Sequence, residues 1–127
     1  MKKFVFLAML FVIAGSLFAN VVETEVVVPS GSASATNVVF IGFVITEMRW
    51  VTNGVDAGDS ITISLTDSFT GYKFYTSTDT SVTASTAEKI DCSSTGYNAL
   101  GDTRVTVTFG SAQAAERKVR ISFMHGT

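Results

Sequence analysis

Few side chains in this sequence are of the types that do covalent chemistry. The chain has one histidine, His125, and one cysteine, Cys92. A serine or cysteine nucleophile needs a positioned base, and His125 lies in the last three residues, where chains usually fray. Cys92 has no neighbouring histidine and no second cysteine, which excludes zinc and redox motifs. The sequence therefore predicts no catalytic residues, and we expect a protein that is not an enzyme.

Four aspartates fall in or beside predicted loops, where oxygen ligands sometimes hold calcium. They are Asp56, Asp59, Asp67 and Asp79. The segment VDAGDS lacks the spaced aspartates of an EF-hand loop, and an aspartate in a turn needs no metal because its carboxylate accepts from nearby backbone amides. A phosphate-binding glycine loop is absent from the sequence as well. We therefore expect no metal site and no cofactor.

Aromatic side chains give one binding hypothesis, because the apolar face of a sugar ring packs on an exposed aromatic ring. In the segment YKFY, the strand alternation that points Tyr72 and Phe74 inward points Tyr75 outward. Phe69 and Tyr97 fall in predicted loops. Tyr75 and Tyr97 are therefore the candidate glycan-binding residues. The alternative is that they are ordinary surface aromatics.

The elements that would position these side chains are β-strands. Three segments alternate cleanly between apolar and polar residues, which is typical of half-buried strands. They are SITISLTD (60–67), RVTVTF (104–109) and RKVRISFM (117–124). Weaker alternation predicts further strands at residues 21–28, 72–77, 81–85 and 87–92. Short strands at this spacing predict an all-β fold: a single antiparallel β-sandwich of seven or eight strands, jelly-roll or immunoglobulin-like.

The long segment VVFIGFVITEMRWV (38–51) does not follow a simple alternation. If Glu47 and Arg49 face water, Met48 and Trp50 face the core. The same alternation would turn a further set inward, namely Thr46, Val44 and Phe40. It would turn the opposite set outward, namely Ile45, Phe43, Ile41 and Val39.

Two interpretations of these outward apolar residues remain open. One is a central strand covered on both faces, or a bulge near Gly42 that resets the alternation. The other is that Val39, Ile41 and Phe43 form a subunit contact, since an exposed apolar patch of that size usually marks an interface.

The N-terminal residues predict a secretory signal peptide. Lys2 and Lys3 precede an apolar run that ends at Ala19. As a helix, residues 4–19 would span about 24 Å, short of the roughly 30 Å hydrocarbon core. We therefore predict a cleaved leader (1–19) and a β-sandwich domain (20–127), so the protein is secreted or held at the cell surface. The alternative is a retained N-terminal anchor, which would be the chain's sole contact with a membrane.

Charge and cysteine content narrow the function further. The chain has nine Lys and Arg against eleven Asp and Glu, and removing Lys2 and Lys3 leaves seven against eleven, a net charge of −4. A general nucleic-acid binder needs the opposite sign, so we expect no nucleic-acid partner. An exported chain with one cysteine forms no internal disulfide. Cys92 is interpreted as a small buried residue, with an intermolecular disulfide as the alternative.

The order of strands and turns over residues 45–123 is similar to that of small all-β structural proteins encoded among the virion genes of tailed phages. ITEMRWVTNGVDAGDSITISLTDSFTGYKFY, YNALGDTRVTVTF and RKVRISF carry the resemblance. It implies a structural role on a virion surface and assigns no functional residues. The leader departs from this pattern, since virion proteins assembled in the cytoplasm need no export.

We therefore expect a non-enzymatic structural subunit of an extracellular or virion-surface assembly. It would work through sheet edges and apolar faces, as a homo-oligomer or with other subunits. The segment VVETEVVV, tethered by PSGSASATN, is a candidate strand for donation to a neighbouring subunit. The alternative function is a secreted glycan-binding or adhesion module.

Overall fold

The structure, a computed structural model, describes residues 21–56, 58–80, 87–91, 96–99 and 101–125. These residues form ten strands and no helix, so none of them forms a helical membrane span. The strands are β1 Val21–Val28, β2 Ser34–Phe40, β3 Phe43–Ile45, β4 Glu47–Thr52, β5 Ile61–Asp67, β6 Lys73–Asp79, β7 Ala87–Asp91, β8 Tyr97–Ala99, β9 Asp102–Phe109 and β10 Arg117–Met124. The predicted leader, the strand predicted at 81–85 and Cys92 lie outside the described residues.

Two antiparallel sheets of four strands each make a β-sandwich, as the alternating segments predicted. Sheet A has the strand order β1-β10-β4-β7, and sheet B has the order β2-β9-β5-β6. A two-stranded ribbon pairs β3 with β8. Both of its strands lie, in the chain, next to the points where β2 ends and β9 begins. The ribbon therefore belongs to one end of the sandwich.

The core lies between the inner faces of the two sheets. The three clean alternations are confirmed: on β10, for example, Val119 and Ile121 are buried while Lys118 and Arg120 are exposed. Burying each such apolar side chain contributes about 1.5–3 kcal/mol to stability, which is how a fold can hold without covalent cross-links. β10 is a central strand of sheet A, flanked by β1 and β4. Its cations therefore lie on an open sheet face.

The long segment divides into β2, β3 and β4, and the inward and outward sets predicted across it are wrong in part. Phe40 is 63% exposed although it was predicted inward, and Ile41 and Ile45 are buried although they were predicted outward. The backbone turns at Gly42, whose φ is +70°, a conformation that favours glycine. The buried positions stay odd-numbered across Gly42, at Ile41 and Ile45, and become even-numbered only at Met48. The alternation is therefore reset between Ile45 and Met48 and not at Gly42, where the chain breaks between β2 and β3. Met48, beyond the break, is buried as predicted.

Residues 29–37, predicted to be a loose tether, already enter a strand at Ser34. The strand was not predicted because its inward positions carry small residues such as Ala35, which do not stand out as an apolar alternation. β1 pairs with β10 of its own chain along its whole length, and its Val26 and Val28 are buried in the core. In this structure the segment proposed for donation completes its own sheet.

Asn37 joins the two sheets at the side where β1 and β2 are both edge strands. Its side-chain amide donates to Thr24 Oγ1 at 2.8 Å and to the Glu25 carbonyl oxygen at 3.2 Å. Thr24 and Glu25 belong to β1, whereas Asn37 belongs to β2. The Asn37 side chain thus links the two sheets along this edge of the sandwich, and we call its two hydrogen bonds the Asn37 clasp.

Candidate functional site

The chain reverses at two ends of the sandwich, and the two ends differ in chemistry. We call one the polar end; it contains the connections at 29–33, 53–60 and 110–116. We call the other the aromatic end; it contains the β3–β8 ribbon, the hairpin loop at 68–72 and the start of β9. The candidate functional site lies at the aromatic end.

Three aromatic rings at this end face solvent. Phe40 is 63% exposed, Phe69 is 98% exposed and Tyr72 is 69% exposed. They are the exposed aromatic residues of the described part of the chain, whose tryptophan, Trp50, is buried. Leaving such rings in water forgoes the stabilisation that burial gives them. Their grouping at one end therefore calls for a role other than folding.

The start of β9 lies between Phe40 and the hairpin loop. Asp102, its first residue, is the cross-strand partner of Phe40. On the other side the backbone amide of Ser68 donates to the Asp102 carbonyl oxygen at 2.9 Å. A depression of about 280 Å³ is lined by Asp67, Ser68, Phe69, Gly101 and Asp102. Because adjacent strands lie about 4.8 Å apart, Phe40 and the loop flank this depression at roughly 10 Å from each other.

Asp67 organises the loop that carries Phe69. Its Oδ1 accepts from the backbone amides of Thr70 at 2.9 Å and of Phe69 at 2.8 Å. The Gly71 amide donates to the Asp67 carbonyl oxygen at 2.8 Å, and Gly71 has a φ of +75°. The amide of Thr70, followed by that of Phe69, lowers the pKa of the Asp67 carboxyl, since both stabilise its charged form. The ionised carboxylate thus holds the loop in the shape that exposes Phe69.

Charged side chains stand beside the rings on the outer face of sheet B. Asp102, Arg104 and Lys73 are all exposed. Arg104 and Lys73 are both cross-strand partners of Thr66, so their backbones lie about 10 Å apart. The aromatic end therefore combines apolar rings with hydrogen-bond donors and acceptors, as small-molecule sites commonly do.

The two tyrosines predicted from the sequence lie at this end and contact each other. The rings of Tyr75 and Tyr97 make an edge-to-face pair with centroids 5.2 Å apart, and Phe74 lies 6.3 Å from Tyr97. Tyr75 is 9% exposed, so its predicted outward orientation is wrong, and Tyr72, predicted inward, is exposed. The cause is a register shift in β5–β6: Leu65 pairs with Tyr75, Thr66 pairs with Lys73, and Phe74 is extra.

Tyr97 was predicted in a loop and lies on β8, half-buried. The glycan-binding role of Tyr75 and Tyr97 stays a prediction. The more accessible rings, Phe40 and Tyr72, were missed because both were assigned to the inner face. Phe69 was predicted correctly in a loop. An aromatic residue in a predicted loop was the signal in the sequence for an exposed ring.

Val39, Ile41 and Phe43 were predicted to form a subunit contact. Ile41 is 3% exposed and belongs to the core, and Val39 and Phe43 are half-buried against it. Most of this surface is covered within one chain, and the subunit contact itself stays a prediction.

His125 was expected in a frayed tail, but its ring contacts the β3–β8 ribbon. His125 Nδ1 lies 2.9 Å from the Val44 carbonyl oxygen, and its ring lies 6.5 Å from that of Phe43. Just before it, the Thr46 amide donates to the Met124 carbonyl oxygen at 2.9 Å. These contacts extend the order of β10 to His125.

The aspartates of the polar end are bonded to protein donors. Asp59 accepts from Ser111 Oγ at 2.7 Å, from the Ser60 amide at 2.9 Å and from Gln113 Nε2 at 2.8 Å. The Ser111 hydroxyl is the main cause of the lowered pKa of Asp59, and burial opposes it. Asp56 pairs with Arg117, whose Nη2 lies 2.7 Å from Oδ1. Both carboxylates thus close turns, and within the described ranges the ligating side chains form no cluster of three or more.

No family model matches the sequence, and no curated protein matches it. Among solved structures, the carbohydrate-binding module CBM36 in complex with calcium and xylotriose has 10% identity, covers 80% of this chain and 87% of its own, and gives a TM-score of 0.47. The SPBc2 prophage-derived protein YomS has 12% identity, coverage of 83% and 95%, and a TM-score of 0.47. The Yersinia pseudotuberculosis-derived mitogen has 7% identity, coverage of 84% and 86%, and a TM-score of 0.44. At this level the likeness concerns the β-sandwich architecture alone.

Proposed function

We propose that this protein is a non-enzymatic module, secreted or held at the cell surface, that binds glycans through its aromatic end. The observation that carries the proposal is the exposure of three rings, Phe40, Phe69 and Tyr72, at the end of the sandwich where Phe69 and Asp102 line a depression. A folded chain without a ligand gains nothing from exposing three rings at one place. A ligand with apolar faces would bury them.

Sugars fit this combination because each pyranose ring has apolar C–H faces and a rim of hydroxyl groups. Phe69 and Phe40 offer faces for stacking, while Asp102 and Arg104 offer partners for the hydroxyls. The site is open, so most of its hydrogen bonds replace bonds to water and add little net free energy. We expect a net binding free energy of about 4–5.5 kcal/mol, equivalent to a dissociation constant of roughly 0.1–1 mM.

Other solved structures with a similar sandwich are also named as carbohydrate-binding modules, including one in complex with beta-1,4-galactotriose. The proposal for this chain depends on its own exposed rings and not on that likeness. The sites predicted at Tyr75 and Tyr97 adjoin the aromatic end, where Tyr97 supports Tyr75 and Phe74 from the ribbon.

Native affinity electrophoresis in gels containing soluble β-glucan, xylan or galactomannan tests the proposal. At least one polysaccharide should retard the wild-type protein, and Phe69→Ala should weaken the retardation roughly tenfold, about 1.4 kcal/mol. Val51→Ala is the matched control, because Val51 is exposed on the outer face of sheet A, away from the aromatic end. Unretarded wild-type protein, or equal retardation of wild type and Phe69→Ala, would contradict the proposal.

A structural subunit of an extracellular or virion-surface assembly is the second candidate function. Val21 and Val27 favour it, since both are exposed on the outer face of the edge strand β1. Light scattering after size-exclusion chromatography separates the two functions. A defined oligomer that Val21→Lys with Val27→Lys converts to monomers would support the subunit, and a wild-type monomer would exclude it.

A further inference from the structure

The outer face of sheet B carries hydroxyl groups at every position of two complete rungs across its four strands. The registers align one rung as Ser34, Thr108, Thr62 and Thr78. They align the next rung as Thr36, Thr106, Ser64 and Thr76, of which Ser64 is only 8% exposed. We call these two rungs the hydroxyl face. No charged or aromatic side chain interrupts it.

Hydrogen bonds across the strands fix six of these eight hydroxyls. Oγ1 of Thr36 lies 3.0 Å from Oγ1 of Thr106, and Oγ1 of Thr62 lies 2.9 Å from that of Thr78. Ser64 Oγ lies 3.2 Å from Thr76 Oγ1. The hydroxyls therefore form a preorganised grid, with steps of about 4.8 Å across the strands and about 6.7 Å along them.

A general preference of strands for threonine does not explain this face. The outer face of sheet A is built from strands of the same fold, yet its positions carry mostly charges. They include Glu23, Glu25, Arg49, Lys118 and Arg120. Both sheets face water, so solubility alone would favour charges on each. The difference assigns the two faces different partners.

We propose that the hydroxyl face binds the flat surface of a neutral β-linked polysaccharide in its ordered, solid form. The inference rests on the proposed function, because a single rung of sheet B separates the hydroxyl face from Phe40 and Asp102 at the aromatic end. The next rung along the sheet holds Val38, Arg104, Thr66 and Lys73, and Phe40 and Asp102 lie beyond it. One polymer surface would thus meet the rings at one end of sheet B, Arg104 and Lys73 on the rung between, and the hydroxyl face beyond.

The chemistry of the two surfaces matches. A solid β-1,4-linked polysaccharide presents flat ribbons with hydroxyl groups at regular intervals and no charge. The hydroxyl face is uncharged, so contact over its two rungs desolvates no ion. Its hydroxyls both donate and accept, and its threonine methyl groups can pack on the C–H faces of the sugars. Many weak contacts along a rigid surface add by multivalency, whereas a short soluble chain reaches few of them.

Sedimentation with microcrystalline cellulose and with crystalline chitin tests the inference, with retardation by soluble hydroxyethylcellulose measured in parallel. Thr78→Lys with Thr108→Lys places two bulky charges on the hydroxyl face. We expect it to lower the bound fraction on the solids at least tenfold while leaving soluble retardation unchanged. Val21→Lys with Val51→Lys is the matched control, because it adds the same charges to the outer face of sheet A.

Thr78→Val with Thr108→Val keeps the shape of the face and removes two hydroxyls, so it should lower solid binding by a smaller factor than the lysine pair. Matching circular dichroism spectra establish that each variant is folded. Wild-type protein that sediments with neither solid, or a lysine pair on the hydroxyl face that sediments like wild type, would overturn the inference. Loss of soluble retardation in Phe69→Ala shows separately whether the proposed function holds.

Discussion

The polar end and the aromatic end close the same two sheets, but they use their polar groups in opposite ways. At the polar end donors and acceptors meet each other: Gln113 is 1% exposed, donates to Asp59 and accepts from the Asp56 amide. At the aromatic end, Asp102 and the rings of Phe40 and Phe69 face water. A bonded aspartate holds a loop at each end, but at the aromatic end a carboxylate and two rings remain exposed and are available to a ligand. Substitutions at the polar end should therefore change stability, and substitutions at the aromatic end should change binding.

Among substitutions in the loops of the two ends, the largest effect on stability is expected from Gln113→Ala. The Gln113 side chain accepts from the Asp56 amide at 2.9 Å and from Arg117 Nε at 3.3 Å, and it donates to Asp59 and to the Ser111 carbonyl oxygen. Removing this buried side chain empties its site and takes one hydrogen bond from each half-buried partner, which should cost about 3 kcal/mol in the free energy of unfolding.

Urea denaturation measures this loss. Ser30→Ala is its control, because Ser30 makes one exposed hydrogen bond to the Ala114 carbonyl and its loss should cost less than about 0.5 kcal/mol. The folded Gln113→Ala protein should bind glycan like wild type. A cost below about 1 kcal/mol would mean that the polar end is not held by this network.

A pair of glycine substitutions compares the ends directly. A Cβ at Gly110 would collide with Asp59 Oδ1 and would lie 2.8 Å from Ser60 Oγ, whereas a Cβ at Gly101 would meet nothing within 4 Å. Gly110→Ala should therefore destabilise the protein by about 1–3 kcal/mol. Gly101→Ala should leave stability unchanged or raise it by about 0.5 kcal/mol. Melting temperatures check both, and equal shifts would contradict the comparison.

Acid should loosen both ends, with different consequences. Asp59 and Asp67 both have a lowered pKa in the fold, for which Ser111 Oγ and the Thr70 amide are the main causes. A carboxyl group with a lowered folded pKa contributes stability that is complete above its ordinary pKa of about 3.9. That stability is lost as the pH falls through the lowered pKa.

Unfolding measured between roughly pH 5 and pH 2 should therefore lose its steepest acid dependence in Asp59→Asn. Asp67→Asn should change amide exchange at Phe69 and Thr70 and leave global unfolding nearly unchanged, because the loop is exposed. An acid limb that is the same in Asp59→Asn as in wild type would contradict the first expectation.

The smallest effect on stability is expected from Phe69→Ala. Its ring is 98% exposed, so truncation should change the free energy of unfolding by less than about 0.5 kcal/mol. Phe123→Ala, in the buried core, should cost about 3–5 kcal/mol. Denaturation of both variants checks the contrast. A large cost at Phe69 would mean that the loop is part of the fold's support.

Periodic segments were predictable from the sequence because alternation is a local property. Ile61 to Asp67 and Arg117 to Met124 carry enough large apolar residues for their inner faces to be recognised. β2 was missed because small residues, such as Ala35, occupy its inward positions, so its sequence shows no clear alternation of large apolar and polar residues. The orientation of Tyr75 was wrong because one extra residue, Phe74, reverses the alternation before it.

The sites were less predictable than the strands because they depend on register between distant segments. Phe40 and Phe69 are far apart in the chain and are brought together by the start of β9. The T-x-T pattern at Thr106 and Thr108 is visible in the sequence, but a grid forms only when β2, β5 and β6 align beside it. Pairing of that kind is set by the whole fold.

The Asn37 clasp has a consequence for how copies of this chain behave when crowded. Its amide already occupies acceptors on Thr24 and Glu25, so a strand from another molecule would have to displace it to wedge between the sheets there. The Asn37 side chain thereby opposes aggregation through the edge strands β1 and β2, on the side where both sheets end.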